Sequence, residues 1–129
     1  MSDPTTPPTQ YAQTGNVLAF QTVLTPTEKR SLRRKVFRSL TFEHVDFSGA
    51  DFRLSHFSNV TFLRCDLSGA DLRLTELQGC RFIECELASL RLGRNRFSDT
   101  DFRNCRRLSP EHRRLVLSMG GRWIGSLRE

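Results

Sequence analysis

Long apolar runs are missing from this chain of 129 residues. None approaches the roughly 20 residues a helix needs to cross a bilayer. The opening MSDPTTPPTQ has neither the basic stretch nor the apolar stretch of a secretory leader, so a soluble, cytoplasmic protein is expected. Trp and Tyr occur once each, and hydrophobic residues reach only 37%, which is thin for a conventional globular core. A glycine-rich phosphate loop is absent. The four cysteines do not fall at zinc-ligand spacing. His44, His56 and His112 lack Cys, Asp or Glu neighbours arranged as a metal site or a catalytic triad. Catalysis, metals and cofactors are therefore not expected. The length allows one domain with a tail at each end.

What the chain does have is phenylalanine, and it comes on a beat. Every fifth residue from 42 is Phe or Leu: Phe42, Phe47, Phe52, Phe57, Phe62, Leu67, Leu72, Leu77, Phe82, Leu87, Leu92, Phe97 and Phe102. Phe37 extends the frame backwards, and Phe20 alone of the ten Phe lies outside it. Two places before each centre stands a second set, mostly small or apolar, including Val45, Ala50, Cys65, Ala70, Cys80, Cys85 and Cys105. The place just before the centre is mostly polar, as at Asp46, Asp51, Asp66 and Asp71. Neither the 3.6-residue helix nor the two-residue strand gives a period of five. A chain that turns a corner every five residues does. Four corners close a square coil, so residues twenty apart lie one above the other. That explains why VDFSGADFRLSHF, from Val45 to Phe57, is echoed by CDLSGADLRLTEL, from Cys65 to Leu77.

The segments SGADF, SGADL and CDLSGADLRL resemble the pentapeptide-repeat proteins, whose units are loosely A-(D/N)-L-x-x. The resemblance covers about residues 37–106, with Leu90, Asn95, Arg81, Arg91 and Arg96 as late departures. It implies an all-β solenoid: a right-handed quadrilateral parallel β-helix of about three to three and a half coils, with backbone hydrogen bonds between coils. In such a stack no coil stands alone.

The open ends of the ladder need covers. Residues 25–41 are expected to form an N-terminal capping helix, with Thr25 as N-cap, Pro26 at the first helical place and Glu28 completing a capping box. Leu32, Val36 and Phe37 or Leu40 would face inward. Residues 42–106 form the β-helix, and 107–129 a C-terminal capping helix and candidate dimerisation segment. There Ser109 is the N-cap, Pro110 follows and Gly120 is the stop. Leu115, Val116, Met119, Trp123, Ile124 and Leu127 are its apolar residues, serving as cap or dimer seam. Relatives in the family often dimerise through such a helix. Residues 1–24 are expected to be an extended or flexible tail, within which VLAFQTVL could pair with the first coil.

Charge is unevenly spread. Residues 43–105 carry ten acidic and eight basic groups, while each flank carries six basic against two acidic. The expected function is a non-enzymatic protein-binding or scaffold module working through its regular faces, homodimeric through its C-terminal segment, with a protein partner. Candidate contact residues are the acidic columns Asp46, Asp66, Glu86 and Asp51, Asp71, and the apolar pairs Leu54–Leu74 and Leu63–Ile83. The resemblance adds an alternative, a DNA-mimicking modulator of gyrase or another type II topoisomerase. That role demands a strongly acidic wall, and Arg53, Arg73, Arg91 and Arg94 interrupt this one. A second alternative is polyanion or nucleic-acid binding through the basic ends, although their clusters lack interleaved aromatics for base stacking.

Overall fold

The computed structural model describes residues 17–18, 26–30 and 32–125. Along the chain run β1 (Val17–Leu18), α1 (Pro26–Arg30), β2 (Val36–Arg38), β3 (Thr41–Glu43), β4 (His56–Ser58), β5 (Thr61–Leu63), β6 (Glu76–Gln78), β7 (Arg81–Ile83), β8 (Arg96–Ser98), β9 (Asp101–Arg103), α2 (Pro110–Ser118) and β10 (Arg122–Ile124). All the strand pairs are parallel and in a fixed register of twenty through the repeat, as in Phe42↔Phe62↔Phe82↔Phe102. Strands β2-β4-β6-β8 make one wall, here wall A; β1-β3-β5-β7-β9-β10 make the next, wall B. Isolated bridges stack the other two. Wall C joins Asp46, Asp66, Glu86 and Arg106, and wall D joins Asp51, Asp71 and Arg91. The result is a right-handed quadrilateral parallel β-helix, its rungs about 4.8 Å apart.

The centres of the five-residue units fill it. From Leu32 to Phe102, fourteen of fifteen successive centres are buried, and the remaining one, Leu92, is partly covered. Leu92 lies at the top of its column, where α2 has replaced the next coil. Rings pile up inside wall B: Phe62 on Phe82 at 4.7 Å between centroids and Phe82 on Phe102 at 4.5 Å, both pairs within 3° of parallel. The second inward set forms columns between the large residues. Val45, Cys65, Cys85 and Cys105 make one, each thiol donating to a backbone carbonyl of the coil below at 3.1–3.2 Å. Asn95, a departure from the motif, is buried with its amide satisfied: it donates to the Thr75 hydroxyl at 2.6 Å and to the Leu72 carbonyl, and accepts from the Gly93 N–H.

Each unit turns its corner in the left-handed backbone region. Every fifth residue from Arg34 to Asn104 has φ between 48° and 69°, and only three of these fifteen are glycine. Left-handed geometry costs a residue with a side chain roughly 1–2 kcal/mol, so the stacked hydrogen bonds hold these corners against local preference.

The N-terminal cap is shorter than the sequence led us to expect. The helix is confined to Pro26–Arg30, and the chain has already entered the coil at Leu32. The five-residue frame overrides the helical pattern read over 25–41, because Leu32 and Phe37 sit one rung below Phe52 and Phe57. Val36, expected inside, is 51% exposed because it occupies the outward place before a centre. Thr25 lies outside the described residues. At the front edge, β1 pairs with β3.

The C-terminal cap has two parts. Ser109 caps α2 by accepting the His112 N–H at 3.1 Å, with Pro110 at the first helical place. Met119 then seals the last coil: its carbonyl accepts the Phe97 N–H and its sulfur accepts the Asn95 N–H. Gly120 passes so close to the Phe97 carbonyl, at φ 99°, that a side chain has no room there. After it, β10 continues wall B, and Trp123 lies over Phe102 at 5.0 Å, extending the aromatic column by one ring.

Candidate partner-binding walls

The consensus aspartates have a local task before any other. Asp46 and Asp66 each accept, through Oδ1, the backbone N–H two residues on, at Ser48 and Ser68, at 2.9 Å; Asp51 and Asp71 do the same for Arg53 and Arg73 at 3.1 Å. This is the side-chain-to-backbone turn that Asp favours. These bonds occur on walls C and D, whose units also close with a hydrogen bond between residues three apart, such as Ala50 N–H to the Phe47 carbonyl at 2.9 Å. With a left-handed third residue this is the type II turn pattern.

On wall D the aspartates carry arginines as well. Arg53 forks onto Asp51 at 3.0 and 2.9 Å, and Arg73 onto Asp71 at 2.9 and 2.6 Å. Cross-rung pairs join Arg33 to Asp51 at 3.5 Å, Arg53 to Asp71 at 3.7 Å and Arg91 to Asp71 at 3.9 Å. Partial burial pushes the Asp51 and Asp71 carboxyls upward, but the hydrogen bonds and charges of these guanidiniums outweigh it and hold both below the usual value. Asp46 is likewise lowered: burial opposes, while Ser48 and then Lys29, at 3.4 Å, prevail.

The sequence-derived contact residues are thus brought into columns, with unequal freedom. Asp46, Asp66 and Glu86 stack on wall C, each half-buried. Asp71 is buried beneath its arginines, so the acidic column expected on wall D is not a carboxylate surface. Leu54 and Leu74 stand at successive corners between walls D and A, Leu54 half-buried and Leu74 42% exposed. Leu63 and Ile83 pair across wall B, both half-buried. Of the candidate dimer residues, Val116 is wholly buried in the chain's own core, Leu115, Met119 and Trp123 are half-buried, and Ile124 is 40% exposed. Leu127 lies outside the described residues. Leu117, missed from the sequence, is the most exposed large apolar residue among the described residues at 55%; the helical register that buries Val116 turns its neighbour outward.

A groove of about 740 Å³ runs along wall A, lined by Val36, Arg38, His56, Glu76, Gln78 and Arg96 among others. Its signal in the sequence was the outward place of every fourth unit. Among the described residues no three His, Cys, Asp or Glu side chains gather as a metal site, and no helix is long and apolar enough to cross a membrane. Burial pushes the Cys80 thiol up to about 11, and Cys85 well above its ordinary value, so both stay protonated within the core.

A square coil with a centre residue every fifth place and a stacked ladder defines a class, the quadrilateral β-solenoids. Residues 36–73 match the family model for pentapeptide repeats as eight copies, and the structural frame carries the same five-residue unit on to Phe102. A solved structure of QnrB1, a plasmid-mediated fluoroquinolone resistance protein, is similar at 19% identity with a TM-score of 0.35. The alignment covers 82% of this chain and 62% of that one, so the chain spans about three fifths of its length. No curated protein matches the chain.

Proposed function

We propose that the protein is a non-enzymatic binding module that presents its walls to a protein partner and works as a homodimer joined through its C-terminal end. The observation that carries the dimer is the apolar character of that end. Leu117 on α2 and Ile124 on β10 are 55% and 40% exposed, Trp123 on β10 is half-buried, and β10 is the last strand of the six-stranded sheet. A terminal strand with apolar neighbours invites a second copy, and two copies related by a two-fold axis bury it without propagating a fibre. Trp123 also belongs to the core column, so it is a poor residue for the test. Light scattering on Leu117→Glu combined with Ile124→Ser should report a monomer where the wild type is a dimer, with little change in the melting temperature. A wild type that is monomeric at every concentration overturns the dimer.

A second reading, modulation of DNA gyrase by a wall that imitates DNA, is favoured by the stacking of Asp46, Asp66 and Glu86 in one column. A surface that imitates DNA must be negative to compete for a positive DNA-binding saddle. A supercoiling assay with purified gyrase decides it: no change at micromolar protein dismisses this reading.

A further inference from the structure

The arginines of wall D stand outside its aspartates. The Asp51 and Asp71 side chains are only 18% and 11% exposed, while those of Arg33, Arg53, Arg73 and Arg91 are 35–62% exposed. Solvent therefore meets guanidinium on this wall. The corner column beside it reads Arg34, Leu54, Leu74, Arg94, two leucines bracketed by arginines. Gly93 holds the place where a fourth arginine would continue the column Arg33, Arg53, Arg73. Its backbone is not in the left-handed region, and a side chain there would meet only Arg73, at an ordinary 3.7 Å. Neither conformation nor crowding asks for glycine at this point. Its lack of a side chain opens a notch of about 320 Å³ lined by Arg53, Arg73, Leu74, Gly93 and Arg94.

We propose that wall D is the docking surface for an acidic amphipathic helix of a partner protein, laid along the solenoid axis; this rests on the binding-module reading above. Charge complementarity selects an anionic occupant. The spacing selects a helix: rungs repeat at about 4.8 Å, close to the rise of about 4.5–6 Å between helix residues three and four apart. An extended strand offers same-face residues only about every 6.6 Å. Carboxylates on such a helix meet the free edges of the guanidiniums, its apolar positions meet Leu54 and Leu74, and a larger side chain enters the notch. The wall presents no aromatic ring on which nucleic-acid bases could stack.

Fluorescence anisotropy on the full chain tests this with three labelled probes: an amphipathic Glu/Leu helical peptide, a shuffled peptide of the same composition, and a short DNA duplex. The amphipathic peptide should bind about tenfold more tightly than the shuffled one. Arg91→Glu with Arg94→Glu should weaken it by about tenfold or more, because neither residue makes the forked pairs that hold Asp51 and Asp71. Gly93→Leu should weaken it several-fold by filling the notch. Arg38→Glu on wall A, with the same change of charge per site, should leave binding within about twofold. Thermal melts of each variant separate lost binding from lost folding. No binding by the wild type, equal binding of the shuffled peptide, equal damage from Arg38→Glu, or a duplex that binds more tightly at physiological salt would each overturn the proposal. If light scattering still reports a dimer in those cases, the inference falls alone.

Discussion

Within the repeat, walls A and B are built from three-residue strands, whereas walls C and D are built from turns joined by single bridges, although all four obey the same five-residue period. The difference lies in the polar residue before each centre. On the turn walls Asp46, Asp51, Asp66 and Asp71 close the turn on their own backbone. On the strand walls the same place holds Val36, His56, Glu76 and Arg96, or Thr41, Thr61, Arg81 and Asp101, with no such local bond through most of the column. The repeat is therefore one packing rule served by two backbone solutions. Much of its apparent functional signature, the recurring Asp, is turn chemistry. Freedom to evolve a surface is greater where the outward residue has no local task.

The largest effect should come from the part both kinds of wall share. Leu72 is fully buried at the centre of wall D, and Leu72→Lys places an unpaired charge inside a closed coil. Circular dichroism at room temperature should show an unfolded chain with no cooperative melt. A folded Leu72→Lys would mean that the turn walls do not close the core.

The corners come next. Gly69, at φ 69°, is the third residue of a wall C turn. Gly69→Ala should lower stability by about 1–2 kcal/mol in urea melts through backbone strain. Leu74, at φ 63° on wall D, makes the opposite test. Leu74→Gly should gain on the order of 0.5 kcal/mol as relief of strain exceeds the added freedom of the unfolded chain. A gain from Gly69→Ala, or a loss from Leu74→Gly, would break the idea that the ladder, and not local preference, holds the corners.

A smaller contrast isolates the aspartate. Asp66→Ala removes the acceptor for the Ser68 N–H and should cost about 1 kcal/mol. Asp66→Asn keeps an oxygen in the same place and should cost much less. Glu76→Ala, on exposed strand wall A, should fall within about ±0.5 kcal/mol. If all three are alike, the two kinds of wall do not differ in the way described.

The sequence made the square coil legible because the core is a one-letter-in-five signal: Phe47, Leu67 and Leu87 announce their column without help from neighbours. The corners were illegible, since Arg34, Leu54, Glu84 and Arg94 adopt a left-handed backbone that turn propensity assigns to Gly or Asn; only the stacked ladder imposes it. The front helix was overestimated because TPTEKRSLRRKVF satisfies helix-start rules and the five-residue frame at once, and the frame wins from Leu32 onward. Trp123 reads from the sequence only as one apolar residue of a cap or dimer seam, yet it is the last ring of a column whose earlier members sit twenty residues apart in sequence. The helix between Phe102 and Trp123 breaks that spacing and hides the connection. On wall D the signs of the charges were readable, but not which charge stands outermost, because that depends on the length of Arg over Asp once both are fixed on a rung.

Acid should weaken the turn walls, and the sign of the effect is fixed by their carboxyls. Asp46, Asp51 and Asp71 are all held below their ordinary value of 3.8 in the folded chain, partial burial being outweighed by hydrogen bonds and neighbouring cations. A group lowered by folding binds its proton more readily in the unfolded chain, so its contribution is complete above the unfolded value and is lost as the pH falls through the folded one. Stability from urea melts should therefore be unaffected by these three groups above about pH 5, then fall as the pH drops below about 4. Replacing Asp46, Asp51 and Asp71 together by Asn should lower the neutral plateau, because the arginine pairs of wall D are weakened, and should flatten the acid limb. An acid limb of unchanged steepness in the triple variant would show that proton uptake during unfolding arises elsewhere, and would remove the electrostatic part of the distinction between turn walls and strand walls.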